Sequence, residues 1–230
     1  MTEMMNTHAT LEVARRNMVE YQIRCCKVLD PELLDMLDRM PREDYTPPNV
    51  RSLAYMEGRV PISCDQEMLS PLQEASIMQQ LSLQGHEKIL EIGAGTGYLT
   101  TLLSMYAAEV TSCELYAELS ELSRKNLSEH AVENATVVHI NAMDSEAMKN
   151  HGDIASAYDV IVVGASLNSI PDHFYELMAD DAQIISFLGK NPVVTLTHQQ
   201  KINGTLVHTG MFETLLQDME AIPEKRKFIF

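Results

Sequence analysis

The chain has 230 residues, of which 45% are hydrophobic and none is Trp, and its formal net charge at pH 7 is −16. This size and composition predict one globular domain with a substantial core. The acidic balance argues against nucleic acid or an anionic membrane surface as a partner, because both require clustered Lys and Arg, which total only 17. No apolar run approaches the roughly 18 residues that span a bilayer, and the N-terminus lacks a signal-peptide pattern. We therefore expect a cytoplasmic protein.

Cysteine and histidine show no pattern typical of a metal site or a disulfide framework. The eight His residues are scattered without an H-x-x-x-H pair, and no C-x-x-C spacing occurs among Cys25, Cys26, Cys64 and Cys113. We interpret the cysteines as reduced thiols and expect no bound metal.

The N-terminal third is predicted to be helical but irregular. Apolar residues at near-helical spacing predict a helix over 11–26, and Asp30 as N-cap with Pro31 at the first helical position predicts another over 30–40. The proline-rich stretch that follows, up to Pro71, indicates ordered loop rather than regular structure.

From about residue 86, short apolar runs alternate with helical stretches, as in a parallel α/β sheet. Helices are expected near 101, 122 and 176, between strands predicted at 88–92, 109–113, 136–140, 159–164 and 182–188. Runs at 193–197 and 205–212, separated by a polar turn at 201–204, predict an antiparallel pair at the sheet edge. The predicted fold class is α/β: a doubly wound, mostly parallel, Rossmann-like sheet with a helical N-terminal extension and antiparallel C-terminal edge strands.

A glycine-rich segment directly follows the first of these strands. Gly93, Gly95 and Gly97 stand at the turn into the next helix, where glycines let a ligand approach the backbone. A dinucleotide fingerprint would require glycine at the position of Tyr98, and the Lys-Ser/Thr pair of a P-loop is absent. The spacing therefore argues against NAD, FAD and nucleoside triphosphates.

Acidic residues on either side of the glycines suit a different ligand. Glu91 precedes Gly93 by two residues, where a carboxylate can attract an amino group directly or through water. The resulting E-x-G-x-G-x-G pattern resembles motif I of class I S-adenosylmethionine-dependent methyltransferases, which implies S-adenosylmethionine as cofactor and S-adenosylhomocysteine as product. Glu114, followed by Leu115, ends the second strand, where this resemblance implies a grip on the ribose hydroxyls.

The resemblance also implies that the loop after the third core strand flanks the adenine. Ala142 and Met143 lie in this loop, and Asp144 is a candidate for binding the exocyclic amine. Asp144 is equally suited to cap the short helix that it begins, with Glu146 in the first turn. Both interpretations of Asp144 stay open.

Longer stretches carry a more specific resemblance. The segment 16–48, which contains M-V-x-x-Q-I-R and P-R-E motifs, resembles the N-terminal region of protein-L-isoaspartate O-methyltransferases, and the similarity continues through 53–55, 60–62, 91–98, 110–114 and 158–171. The resemblance implies methylation of an isoaspartyl carboxylate, or of a D-aspartyl side chain, in a protein or peptide. The methyl ester then collapses to a succinimide, so the reaction repairs proteins. An ionised carboxylate needs no general base, and positioning supplies most of the rate.

The acceptor loop departs from the family pattern P-I-x-x-G-Q-T-I-S-x-P-x-x-x-A. Aligned without gaps, residues 61–75 place Glu67 and Leu69 where the family has Thr and Ser hydroxyls, and Glu67 would repel a substrate carboxylate. Ser70 could replace a lost hydroxyl, but Ser70 with Gln73 also predicts a capping box for a helix over 71–82. Ser70 and Glu67 are therefore the catalytic candidates, in what looks like a divergent bacterial branch of the family.

Two further groups of expectations complete the prediction. We expect one methyltransferase domain over 1–230, comprising a helical cover and acceptor loop (1–82), a cofactor-binding core (83–190) and antiparallel C-terminal strands (191–230). Acceptor-pocket candidates after the fourth core strand are Ser166, Asn168 and Ser169. Two alternatives stay open: an unidentified small acceptor, and a non-catalytic protein that binds the cofactor. The sequence indicates no oligomeric state.

Overall fold

A computed structural model describes residues 2–154, 157–190, 192–202 and 205–220, with side chains from residue 10 onward. Its strands among these residues are β1 (Val60–Pro61), β2 (Glu67–Met68), β3 (Lys88–Ile92), β4 (Glu109–Glu114), β5 (Ala135–His139), β6 (Tyr158–Leu167), β7 (Met178–Lys190), β8 (Val193–Ile202) and β9 (Thr205–Thr214). The α-helices are α1 (Thr2–Met18), α2 (Pro31–Arg39), α3 (Pro71–Leu81), α4 (Tyr98–Ser104), α5 (Ala117–Glu129), α6 (Ser145–Asn150) and α7 (Asp172–Glu176).

The seven strands from β3 to β9 form one sheet, in the order β5-β4-β3-β6-β7-β8-β9. The first five in this order are parallel, whereas β8 is antiparallel to both β7 and β9. The predicted fold class is confirmed. The predicted strand 88–92 matches β3, and its Ile89, Leu90 and Ile92 are buried, as in a parallel strand that is covered on both faces.

Some element boundaries differ from the prediction. The helix expected near residue 176 ends there, because β7 begins at Met178, which pairs with Tyr158. The helix predicted over 11–26 continues from α1 through a π-helical turn (Val19–Ile23) into a 3-10 turn (Arg24–Cys26). The polar turn expected at 201–204 includes residues 203 and 204, which lie outside the described residues.

The helical N-terminal region covers one face of the sheet. Asp30 caps α2 as predicted, because its Oδ1 accepts hydrogen bonds from the backbone N–H groups of Glu32 (2.9 Å) and Leu33 (3.2 Å). A first core cluster joins Ile23 and Leu37 of this region to Ile77 of α3 and Phe187 of β7. A second cluster includes Phe174 of α7, and a small third one contains Ala94, Leu127 and Val137. The sheet is therefore packed on both faces, as in doubly wound folds.

The proline-rich stretch contains more regular structure than predicted. It forms two 3-10 helices, Arg42–Asp44 and Pro48–Leu53, and the antiparallel ribbon β1–β2. The ribbon turns through Cys64 and Asp65, both in the left-handed region with φ of 59° and 54°. Two-residue strands leave no periodic signal, so the sequence predicted only a loop. Among the described residues no helix is both long and apolar enough to cross a membrane.

A buried ion pair connects this stretch to the core. Arg42 is wholly buried, and its Nη1 donates to Oε2 of Glu74 in α3. Arg42 also donates from Nη2 to the Leu69 carbonyl (2.6 Å) and from Nε to the Ala54 carbonyl (2.9 Å). Its guanidinium lies 4.8 Å from the ring centroid of Tyr98. Burial raises the pKa of Glu74, and the Arg42 charge opposes that rise.

A second buried carboxylate lies near the end of β3. Glu91 is fully buried, and its Oε2 accepts hydrogen bonds from the hydroxyls of Thr100 (2.5 Å) and Ser112 (2.6 Å). Its Oε1 has no hydrogen-bond partner among the described residues. Burial raises the pKa of Glu91 to about 7, against the two hydroxyl bonds, which lower it.

We expect Arg42→Met to lower the free energy of unfolding by about 3–5 kcal/mol, because it leaves the Glu74 carboxylate buried without its cation. Arg42→Met with Glu74→Leu removes both charges and should recover much of that loss. Urea unfolding of the three proteins measures the difference. A double variant as unstable as the single one would show that the ion pair itself is not what the fold depends on.

We also expect the free energy of unfolding to depend on pH because of Glu91. Since folding raises the pKa of Glu91 from 4.5 to about 7, the native state binds more protons than the unfolded state between these values, and stability falls as the pH rises through them. Between about pH 4 and about pH 8 the wild type should lose on the order of 3 kcal/mol more than Glu91→Gln. Urea unfolding across this range tests it, and parallel curves for the two proteins would contradict it.

Candidate cofactor and acceptor site

A cavity lies at the carboxyl ends of β3, β4 and β6. This is the point at which the strand order reverses, between β3 and β6, and ligands of doubly wound sheets bind in such crevices. Its wall consists of Ile62, Gln66, Glu67, Ile92, Gly93, Gly95, Cys113, Glu114, Leu115, Tyr116, Leu119, Ile140, Asn141, Ala142, Met143, Gly164, Ala165, Met219 and Glu220.

The glycine loop forms part of this wall, but its three glycines differ in role. Gly93 and Gly95 line the cavity with φ of 97° and 55°. Gly97 does not line it; it is the N-cap of α4, with φ of 83°. A Cβ at Gly97 would lie 2.6 Å from Ser123 Oγ on α5. The sequence predicted cofactor binding for all three, whereas the structure gives Gly97 a packing role.

Glu114 stands at the cavity as predicted. Its Oε2 accepts a hydrogen bond from Gly95 N (2.8 Å), and its Oε1 accepts one from Tyr116 N (2.9 Å). The carboxylate is 5% exposed, and burial raises its pKa while these backbone donors oppose the rise. Both oxygens are therefore fixed at the end of β4, and each keeps further lone pairs for a ligand.

Glu91 does not reach the cavity. It is buried behind the loop, where Thr100 and Ser112 bind one oxygen, and it is not part of the wall. Its hydrogen bonds join α4 to β4, and the prediction that Glu91 attracts an amino group, directly or through water, stays a prediction. Sequence reasoning placed it by motif alone, which does not show that strand alternation turns its side chain into the core.

The loop after β5 supplies the apolar part of the wall. Leu115, Ala142 and Met143 line the cavity, as the sequence predicted. Asp144 does not; its Oδ1 accepts hydrogen bonds from the backbone N–H groups of Glu146 and Ala147, both at 3.0 Å. Of the two interpretations of Asp144, the structure shows the helix cap.

The acceptor loop places its two catalytic candidates differently. Glu67 lines this cavity and a smaller one beside it, and its Oε2 lies 3.3 Å from Arg59 Nε. Ser70 lines neither. Its Oγ accepts from Gln73 N (3.3 Å) and Gln73 Oε1 accepts from Ser70 N (2.8 Å), so the predicted capping box is present at the start of α3. The structure thus shows the helix cap that the sequence predicted for Ser70, and its catalytic role stays a prediction.

The sequence missed several wall residues. Gly164 of β6 approaches β3 so closely that a Cβ would lie 3.3 Å from the Ile92 carbonyl oxygen. Gln66 of the ribbon and the C-terminal residues Met219 and Glu220 complete the wall. A glycine at the end of a core strand signals such close approach, but nothing in the sequence indicates that residues near 220 return to this edge.

The candidates after the fourth core strand lie outside the cavity wall. The Ser166 hydroxyl donates to Asp218 Oδ1 (2.7 Å), while Asn168 and Ser169 are exposed. They are therefore corrected as acceptor-pocket residues. Cys25, Cys26, Cys64 and Cys113 are free thiols. Among the residues that the structure describes, no three His, Cys, Asp or Glu side chains group as they would around a metal ion.

Comparison with known proteins identifies the relatives of this chain. The family model for protein-L-isoaspartate(D-aspartate) O-methyltransferase (PCMT) matches residues 13–216. A protein-L-isoaspartate O-methyltransferase from Rhodopseudomonas palustris is 35% identical over 159 residues, which are 67% of this chain and 68% of that protein. One from Protochlamydia amoebophila is 32% identical over 173 residues, 75% of this chain and 79% of that protein.

Solved structures share the fold. A Plasmodium falciparum protein described as a protein-L-isoaspartate O-methyltransferase, in complex with S-adenosyl-L-homocysteine, superposes with a TM-score of 0.73 at 19% identity, covering 90% of this chain and 98% of that chain. At this identity the likeness shows the fold alone, a class I methyltransferase fold. From the family match over residues 13–216 together with the R. palustris relative, we conclude that this chain belongs to the protein-L-isoaspartate O-methyltransferase family.

Proposed function

We propose that this chain is an S-adenosylmethionine-dependent methyltransferase that acts through the cavity at the ends of β3, β4 and β6. The observation that carries the proposal is the Glu114 carboxylate, which backbone N–H groups fix at the end of β4 beside Gly93 and Gly95. A fixed carboxylate is suited to accept hydrogen bonds from a ribose diol. Glycines in the left-handed region leave the backbone open to close approach by a ligand.

The other wall residues fit the rest of this cofactor. Leu115, Ile140, Ala142 and Met143 supply apolar surface for an adenine ring. When bound, S-adenosylmethionine supplies a sulfonium methyl group that a nucleophile can attack in line. The residues of this chain bind that cofactor, orient the acceptor and exclude water. In an enzyme without a general base, these effects supply most of the rate enhancement.

The acceptor that family membership favours is the carboxylate of an isoaspartyl residue in a protein or peptide. The relatives from R. palustris and P. amoebophila carry the isoaspartate methyltransferase name, and the family model covers the N-terminal region and acceptor loop of this chain. A carboxylate is ionised at neutral pH, so the wall needs to position it rather than deprotonate it. A cytoplasmic location stays a prediction from composition.

A second acceptor class is favoured by one observation, the position of Glu67. Its carboxylate lies on the wall of both cavities, and Arg59 Nε binds one of its oxygens. The other oxygen has no recorded partner within the described part of the chain. A carboxylate in this position is suited to an acceptor that donates a hydrogen bond, such as an amine, an amide or a hydroxyl group.

Cofactor binding is tested by titration calorimetry with S-adenosylmethionine. We expect binding by the wild type, and a Kd at least about 10-fold higher for Glu114→Ala, because a charged hydrogen-bond acceptor is lost. Glu109→Ala is the matched control, since Glu109 is an exposed glutamate at the opposite end of the same strand. If the wild type gives no heat at millimolar cofactor, the proposed function fails.

The acceptor is tested by transfer of a labelled methyl group to an isoaspartyl peptide, with the normal aspartyl peptide as substrate control. We expect transfer by the wild type, and faster transfer by Glu67→Thr by about 10-fold, because a like charge near the substrate carboxylate is removed. Glu57→Thr is a control on an exposed residue of the preceding loop.

The acceptor experiment separates the candidates. If the wild type binds the cofactor but transfers no methyl group to the isoaspartyl peptide, and Glu67→Thr gains transfer, the wild type uses an acceptor of the second class. If neither protein transfers methyl to carboxylate, amine or hydroxyl acceptors, the chain binds the cofactor without turnover.

A further inference from the structure

A cation lies beside the cavity where the ribbon β1–β2 borders it. Arg59 directly precedes β1, and its Nε lies 3.3 Å from Oε2 of Glu67 in β2. Of the ion pairs recorded within the described part of the chain, this is the one that includes a residue of the cavity wall. Arg59 is not itself a wall residue, so the pair connects the wall to a positive charge just outside it.

The pairing of the ribbon explains why these two side chains meet. Pro61 pairs with Glu67, and Val60 pairs with Met68. Val60 and Met68 are 0% and 6% exposed, so their face of the ribbon packs into the core. Successive side chains along a strand turn to opposite faces. Arg59, two residues before Pro61, therefore shares the face of Glu67, which is the face that borders the cavity.

The Arg59 guanidinium has hydrogen-bonding capacity beyond this contact. A guanidinium carries five N–H donors, and the contact with Glu67 uses the one on Nε. The four donors on Nη1 and Nη2 have no recorded partner among the described residues. The side chain is 25% exposed, so it is open to a group that enters from solvent. Two parallel N–H groups of an arginine match the two oxygens of a carboxylate.

An anionic acceptor benefits from such a group at this cavity. The wall contains three carboxylates, Glu67, Glu114 and Glu220, and among the described residues that form it there is no Lys, Arg or His. An isoaspartyl acceptor brings a further negative charge, which these carboxylates repel. A partly buried guanidinium beside Glu67 offsets this repulsion on the side of the cavity that the acceptor loop forms.

We propose that Arg59 receives the carboxylate of the isoaspartyl acceptor through its Nη atoms, while its Nε keeps Glu67. This inference rests on the proposed function. Arg59 then determines specificity for an anionic acceptor in a loop that has Glu67 and Leu69 where the family pattern has hydroxyls.

The charge of the acceptor changes during transfer. A carboxylate oxygen forms the bond to the methyl carbon, and the electron pair of the broken carbon–sulfur bond stays on sulfur. The acceptor becomes a neutral ester, so Arg59 holds the acceptor before transfer more tightly than the ester after it.

A double-variant cycle at Arg59 and Glu67 tests the inference, with an isoaspartyl peptide that carries no other ionised group. In the wild type, Arg59→Gln removes a binding group and also leaves Glu67 without its cation. In the Glu67→Gln background only the first effect remains, because the amide oxygen can still accept from Arg59 Nε. There Arg59→Gln should raise KM about 5–20-fold. The value of kcat should not fall, because the cation acts most strongly on the acceptor before its charge is lost.

Three controls separate this role from a structural one. Arg59→Lys keeps the charge without the fork, so it should recover part of the loss in KM. Arg39→Gln removes the same charge from an exposed pair with Asp35 on α2 and should leave KM unchanged. Rising salt should raise the KM of Glu67→Gln more than that of the double variant. The Kd of S-adenosylmethionine, measured by calorimetry, should be the same in all of these proteins.

The possible results are distinguishable. If Arg59→Gln changes KM in the wild type but not in the Glu67→Gln background, Arg59 only neutralises Glu67, and the inference is overturned while the proposed function stands. An unchanged KM in both backgrounds, or an equal rise in the Kd of S-adenosylmethionine, overturns it in the same way. A wild type that binds the cofactor but transfers no methyl group to this peptide contradicts the proposed acceptor and the inference together.

Discussion

The position of the acceptor loop depends on one buried guanidinium. Arg42 lies in the 3-10 turn that follows α2, and it binds the carboxylate of Glu74 and the carbonyls of Leu69 and Ala54. A buried cation must have its donors satisfied, because an unpaired charge in the interior costs several kcal/mol. These bonds bring the end of the acceptor loop, the start of α3 and Ala54, after the 3-10 helix Pro48–Leu53, to a single point. In this chain the arginine of the P-R-E motif therefore has a structural role.

This constraint explains why Glu67 faces the cavity. Arg42 binds the Leu69 carbonyl, and the side chains of Met68 and Leu69 are buried at 6% and 7% exposure. The ribbon pairs Pro61 with Glu67 and Val60 with Met68, so successive side chains turn to opposite faces. With Met68 inward, Glu67 must point outward, to the wall. The Arg42 network therefore holds the backbone segment that carries Glu67.

The sequence predicted most reliably what local chemistry decides. Asp30 before Pro31, and Ser70 with Gln73, gave correct helix starts because a cap depends on residues only two or three positions apart. The apolar core strands were predicted equally well from the sequence. For Glu91, the motif indicates the position along the chain but not the face of the strand on which the side chain lies. Glu220 could not be predicted at all, since the return of residues 215–220 to β6 depends on contacts between residues some fifty positions apart.

The carboxylates near the cavity have different physical roles, although all of them are glutamate side chains. Glu91 is enclosed without a cation, so burial shifts its pKa toward neutrality and it is suited to hold the loop rather than to attract a ligand. Glu114 lies at the wall of the cavity, where backbone donors fix the direction of its carboxylate. Glu67 faces an arginine, and the partners of Glu220 among the described residues are the Tyr116 hydroxyl and the Gln66 amide. The net charge of −16 therefore does not describe what the individual carboxylates do. The role of each carboxylate at this site depends on the cation or hydrogen-bond donor that the fold places beside it.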